Sequence, residues 1–143
     1  MKLTSMMMGK FMLLFGVICF SAVVRGGGQD TWHKSHSERY GSCIQNAGGI
    51  HLEMIACIDE EIDKNNTEIQ SQLAVAKGDP SITELWMPLK KSQSAWESYI
   101  KLKCEPYQKI GGQRAILLTR SCLSDEILSR NSFLKTLLIE AQI

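Results

Sequence analysis

The side chains that could carry out chemistry in this chain of 143 residues are three histidines, five cysteines and a short acidic run. A nucleophilic site needs a serine or a cysteine beside a histidine that an acid orients. His33 and His36 lie in a polar, glycine-rich segment, and the sequence contains no G-x-S-x-G, H-E-x-x-H or phosphate-binding glycine motif. We therefore predict that the protein is not an enzyme and has no catalytic residues.

The acidic run consists of Asp59, Glu60, Glu61 and Asp63. A carboxylic acid that donates a proton near neutral pH needs a desolvated pocket, which raises its pKa. The hydrophobic periodicity instead places the run on the solvent-facing side of a helix. We predict a solvated helix face, with the docking of a basic partner protein as the alternative.

Metal binding has one candidate, the pair His33 and His36, which are three residues apart. No third ligand lies near them, and the cysteines lack the close C-x-x-C spacing of zinc sites. We predict no metal and no cofactor. From residue 27 onward the sequence has 13 basic and 15 acidic residues without a concentrated basic cluster, so we do not expect nucleic-acid binding.

The N-terminal region has the features of a secretory signal peptide. Lys2 and Lys10 precede an uncharged apolar run of 14 residues, from Phe11 to Val24, which is too short to span a bilayer comfortably. We predict a signal peptide over 1–26, a flexible leader over 27–41 and a helical domain over 42–143, with an uncleaved anchor as the alternative. The mature protein is then periplasmic or secreted from a bacterium, without stable membrane insertion.

Four cysteines follow the predicted signal peptide: Cys43, Cys57, Cys104 and Cys122. An even number in a small exported domain predicts two disulfides. Three pairings are possible, and we favour Cys43 with Cys57 and Cys104 with Cys122 because each pair brackets a predicted turn. Loops of this length stabilise by about 3 kcal/mol each on the chain-entropy model.

Apolar residues recur at helical spacing in three long segments. The first covers about 52–76, with Ala47, Gly48 and Gly49 separating it from a short helical piece near Cys43. Gly78-Asp79-Pro80 predicts its end, and Ser81 with Glu84 forms a capping-box pattern for the next helix. The last segment covers about 114–140, after a turn at 111–113. We predict an all-α fold: a small antiparallel helical bundle of three long helices plus short helical pieces, stapled by two disulfides.

The segment LKKSQSAWESYIKLKCE, from Leu89 to Glu105, lies in the second long helix. Its Gln93 and Trp96 are three residues apart, so the helix places them on one side. Burial of Trp96 is expected, and Gln93 is expected to bond the backbone at the end of a neighbouring helix. Pro88, just before the segment, either kinks this helix or marks its first turn.

In this order the motifs resemble the LprI-type lysozyme-inhibitor family of small exported bacterial domains. The resemblance covers about Cys43 to Leu134, and its motif residues include Gln93, Trp96, Tyr99 and Arg130. The chain departs from the family pattern at Ile100 and Lys101, where the family has Arg-Asp, and at Gln113 and Ile127. Without that Arg-Asp pair, we expect Arg130 to pair with Glu126 or Glu97.

The resemblance implies an exported, non-catalytic binding protein that inhibits lysozyme-type peptidoglycan hydrolases. Two surfaces are candidates for partner binding: the loop residues Lys109, Gly111, Gly112, Gln113 and Arg114, and the acidic residues Glu60, Glu61 and Asp63. The alternatives are a periplasmic immunity protein against a peptidoglycan-degrading toxin, and a structural or accessory cell-envelope protein. The sequence does not specify the oligomeric state.

Overall fold

A computed structural model describes residues 36–142, and the prediction of an all-α fold is confirmed over this range. The elements are α1 (Glu38–Asn46), α2 (His51–Gly78), a 3-10 turn (Pro80–Ile82), α3 (Thr83–Gln108) and α4 (Gly112–Ala141). The predicted signal peptide and most of the predicted leader lie outside the described residues. The helix α1 begins inside the range predicted as leader. Within 36–142 no helix is both long and apolar enough to cross a membrane.

The three long helices run up, down and up. The side chains of Asp59 and Arg120 meet near the starts of α2 and α4, and those of Gln72 and Asn131 meet further along the same two helices. These two helices are therefore parallel. The helix α3 runs antiparallel to α4, because Lys103 near its end contacts Glu126 in the first half of α4.

The core is an aliphatic column between the three long helices. Ile58 and Ile69 of α2 and Leu134 of α4 are among its most deeply buried side chains. The apolar residues that recur at helical spacing along α2 and α4 form much of this core, among them Ile58, Ile62, Ile69, Ala76, Ile127, Leu134 and Leu138. Trp96 is only partly buried, and it packs against the edge of this core.

The chain between α2 and α3 differs from the predicted capping box. Asp79 caps the 3-10 turn, since its Oδ1 accepts hydrogen bonds from Ser81 N (2.8 Å) and Ser81 Oγ (2.7 Å). Pro80, whose φ is fixed near helical values, begins the turn directly after that cap. The cap therefore lies at Asp79 and not at Ser81. Pro88 lies inside α3 and not in its first turn.

Both predicted disulfides are present, Cys43–Cys57 and Cys104–Cys122. Their Cα atoms are 5.8 and 5.7 Å apart, which is ordinary disulfide geometry. The first joins α1 to α2 and the second joins α3 to α4. Each disulfide therefore closes one helix–turn–helix unit.

Candidate functional site

The two disulfide-closed turns lie at the same end of the bundle. The helix α2 begins at His51 and the helix α4 at Gly112. Asp59 and Arg120 are each eight residues into their helix, and their side chains are 3.3 Å apart. The starts of the two parallel helices are therefore level. We call this region, comprising residues 47–53 and 107–116, the stapled end.

Glycine conformation shapes both turns of the stapled end. Gly48 and Gly49 have φ of 56° and 85°, and Gly111 and Gly112 have φ of 79° and 68°. This left-handed region costs an L-residue with a Cβ about 1–2 kcal/mol. The glycines thus allow each turn to be short enough for a disulfide to bridge its two helices.

The structure brings all five predicted loop residues together at the stapled end. Lys109, Gly111, Gly112, Gln113 and Arg114 are exposed, in the α3–α4 turn and the first residues of α4. Within residues 36–142 neither Lys109 nor Arg114 forms an ion pair with a carboxylate. Their part in binding a partner remains a prediction.

The predicted acidic face is largely occupied by contacts inside the protein. Glu60 pairs with Arg39 of α1, and Asp59 pairs with Arg120 of α4. Asp63 is exposed, and its side chain has no ion pair in the part of the chain that the structure describes. Of the acidic residues proposed for binding, Asp63 alone keeps its carboxylate unengaged among the described contacts.

Glu61 corrects the predicted solvated face, because it is buried, with 4% of its surface exposed. Its carboxylate accepts hydrogen bonds from Ser37 N (2.9 Å) and Ser37 Oγ (2.7 Å). Burial favours the neutral acid, but these two bonds and the charge of Lys64 outweigh it and lower the pKa of Glu61. Glu61 therefore fastens the start of α1 to α2 and does not face a partner.

His36 completes this junction at the start of the described chain. It stacks on Tyr40 with ring centroids 4.2 Å apart, and its Nε2 lies 3.4 Å from Asp125 Oδ1 of α4. Burial, followed by the charges of Asp125 and Glu61, raises the pKa of the Tyr40 hydroxyl. His33, the other half of the predicted pair, lies outside the described residues. Over 36–142 no three potential ligands of the His, Cys, Asp or Glu type are grouped to hold a metal.

Arg130 has different partners from those predicted. Its Nε donates to Gln93 Oε1 (2.9 Å) and its Nη1 to Ser92 Oγ (3.2 Å). Glu126 forms an ion pair with Lys103 instead, and Glu97 accepts a hydrogen bond from Gln93 Nε2 at 3.0 Å. Gln93 thus links Arg130 to Glu97 and does not bond the backbone of a helix end.

The Arg130 guanidinium is also enclosed by aromatic rings. It lies 5.8 Å from the Trp96 centroid and 5.1 Å from the Phe133 centroid, which is a cation–π arrangement. Burial lowers the pKa of Arg130, and the charge of Glu97 opposes this shift. Tyr99 is half exposed, and Lys103 Nζ lies 5.6 Å from its ring centroid. The motif therefore holds α3 against α4, with Tyr99 at its outer edge.

Three amides and one carboxylate form a cluster between α2 and α4 that was not predicted from the sequence, and we call it the polar seam: Asn65, Glu68, Gln72 and Asn131. Asn131 Nδ2 donates to Asn65 Oδ1 and Glu68 Oε2, both at 2.7 Å, and its Oδ1 accepts from Gln72 Nε2 at 2.8 Å. A signal existed, because Asn65 and Asn131 occupy positions three and four residues from buried aliphatic neighbours on their own helices.

Comparison with known protein families adds a functional class to this geometry. Residues 48–141 match the family model described as Antitoxin TsiV3, which covers about two thirds of the chain. The chain belongs to the TsiV3 antitoxin family. No curated protein and no solved structure matches it.

Membership of the TsiV3 family refines the resemblance inferred from the motifs. It supports an inhibitor- or immunity-type protein, but not the LprI type specifically. The match spans all of α2, α3 and α4, together with the glycines of both turns, whereas α1 precedes it. The TsiV3-type region therefore contains the three-helix core, the polar seam and the Arg130 cluster. An antitoxin family implies a protein that acts by binding another protein and not by catalysis.

Proposed function

We propose that this protein is an immunity protein that binds and blocks a toxin which degrades peptidoglycan. The observation that carries the proposal is the match to the Antitoxin TsiV3 family over residues 48–141. The two disulfides support it, because such bonds persist in oxidising compartments such as the bacterial periplasm. Peptidoglycan lies in that same compartment, so a toxin that attacks it must be met there.

The target enzyme that best fits the exposed chemistry is a lysozyme-type hydrolase. Glycoside hydrolases of this kind carry two catalytic carboxylates beside the scissile bond. Lys109 and Arg114 are exposed cations at one end of a rigid bundle, so they are suited to a cleft with that charge. The acidic face is the weaker candidate surface, because Asp59 and Glu60 already have cationic partners and Glu61 is buried.

A cell-wall lysis assay tests this proposal. The full chain is exported, purified in its oxidised form and titrated against a bacterial lysozyme-type peptidoglycan hydrolase, and in parallel against an animal-type lysozyme. Stoichiometric inhibition of the bacterial hydrolase alone supports the immunity role. Inhibition of the lysozyme supports a general lysozyme inhibitor, and inhibition of neither enzyme contradicts the proposal.

Paired variants then identify the surface. Gln113→Ala with Arg114→Ala removes donors from the α3–α4 turn, whereas Glu60→Gln with Asp63→Asn neutralises the acidic face. We expect the first pair to weaken inhibition. Loss only in the second pair, with strong dependence on salt, would identify the acidic face instead.

A further inference from the structure

Resting on the proposed immunity function, we propose that the toxin is bound by both turns of the stapled end acting as one surface. The α1–α2 turn adds an apolar half, Ile50 and Leu52, to the cationic half contributed by the α3–α4 turn. The partner that fits is a concave protein cleft with apolar walls and carboxylates at its base.

Large apolar side chains are exposed at the stapled end. Leu52 is 72% exposed, Ile110 58%, Ile50 55% and Ile116 54%. Single exposed apolar residues are ordinary on protein surfaces, but a group of them within one region marks an interaction site. These four belong to two segments about 60 residues apart in sequence, which the fold brings to one end.

The two turns of the stapled end lie close enough together for one partner to contact both. The helices α2 and α4 start level with each other, as the Asp59–Arg120 contact shows. Packed helices have axes about 8–10 Å apart. A partner cleft that receives the α3–α4 turn therefore also meets Ile50 and Leu52, unless it is narrower than one helix diameter.

The backbone of both turns is held rigid by the disulfides. The disulfide Cys43–Cys57 fixes the chain on both sides of one turn, and Cys104–Cys122 does the same for the other. A surface that is ordered before it binds loses little conformational entropy on binding, so more of the contact energy appears as affinity. The opposite end also exposes apolar residues, Met87 and Ile139, but no disulfide within the described chain closes it.

The charge of the stapled end favours a partner with exposed carboxylates. Lys109 and Arg114 are its exposed cations, and Glu53 is its exposed anion beside the half-buried His51. A cationic tip with an apolar flank complements a glycosidase cleft, which has carboxylates and the apolar walls that hold sugar rings. The same tip is unsuited to a basic partner surface.

Charge-introducing variants at the two ends test the proposal with matched exposure. Leu52→Glu and Ile110→Glu alter the stapled end, and Met87→Glu (67% exposed) and Ile139→Glu (53% exposed) alter the opposite end. The dissociation constant is measured by calorimetry for each full-length, oxidised variant and the bacterial lysozyme-type hydrolase used in the lysis assay. Helix content and melting temperature are recorded, so that misfolded variants are replaced by Leu52→Ser or Ile110→Ser.

We expect each stapled-end variant to bind at least about tenfold more weakly, and the opposite-end variants to bind as the unaltered protein does. Leu52→Glu is the decisive variant, because the α3–α4 loop alone would not predict its effect. If the unaltered chain binds and Leu52→Glu binds equally well, the composite surface is wrong while the immunity role stands. A loss in Met87→Glu or Ile139→Glu alone also overturns it. If the unaltered chain does not bind, both proposals fail.

Discussion

The stapled end and the polar seam hold helices together by different means. At the stapled end, covalent bonds and glycine turns fix the backbone and leave apolar and cationic side chains exposed. In the polar seam, Asn131 bonds the side chains of Asn65, Glu68 and Gln72 and so fixes how far α2 is shifted along α4. The exposed side chains of the stapled end are therefore free to contact a partner, whereas those of the polar seam bond one another between α2 and α4. We therefore propose that the stapled end binds the partner, and that the polar seam sets the alignment of α2 along α4.

The largest effect is expected from breaking the stapled end. Cys104→Ser with Cys122→Ser opens a loop with a sequence separation of 18, so the free energy of unfolding should fall by about 3 kcal/mol. Urea denaturation followed by circular dichroism, without reductant, measures the change. A loss below about 1 kcal/mol would mean that the helices hold this end without the bond.

A smaller loss is expected from breaking the polar seam. Asn131→Ala leaves Asn65 Oδ1 and Gln72 Nε2 without the hydrogen bonds they make to Asn131, so the free energy of unfolding should fall by about 2 kcal/mol. Asn66→Ala is the matched control, because Asn66 neighbours Asn65 but lies outside the seam, and about 0.5 kcal/mol or less is expected there. Equal losses in the two variants would show that the seam is not a stabilising network.

The smallest effect is expected where Ser37, just before α1, bonds Glu61 of α2. This effect depends on pH. Glu61→Gln keeps the size of the side chain but removes the charge that accepts two hydrogen bonds from Ser37. At pH 7 we expect the variant to be about 1 kcal/mol less stable.

The direction of the pH dependence follows from the lowered pKa of Glu61 in the folded protein. Its stabilising contribution is present above the ordinary carboxyl pKa and is lost as the pH falls through the lower, folded-state value. The gap between the two proteins should therefore close in acid, in urea titrations at pH 7, 5 and 3. A gap that stays constant would show that Glu61 acts through shape and not charge.

Much of the fold was predictable from the sequence because helical spacing and cysteine spacing are local signals. The positions of Ile58 and Leu134 in the core follow from their three- and four-residue steps, and the disulfide pairing follows from the turns between the cysteines. Glu61 was misplaced because its partner, Ser37, lies 24 residues away, beyond the reach of periodicity. Helical periodicity predicts that an acidic residue at the edge of an apolar face is exposed to solvent, because it contains no information on such a distant partner.

The contacts of Arg130 were missed for a related reason. A charged residue was expected to find a charge, but the fold offers Gln93, Ser92 and two aromatic rings. The loop residues of the candidate surface were predictable, since glycines mark the turn. Leu52 and Ile50 were not, because an apolar residue at a helix start looks like core until the packing shows that nothing covers it.

Both disulfides join cysteines that follow each other directly along the described chain, and this has a consequence for how the protein is made. As the polypeptide emerges from its N-terminal side, Cys57 meets Cys43 before any of α3 exists, and Cys122 then meets Cys104. With the predicted signal peptide removed, and Cys19 with it, an oxidase that joins cysteines in order of appearance would produce the native pairing. We therefore expect the yield of native protein to depend on the oxidase and little on an enzyme that reshuffles wrong bonds.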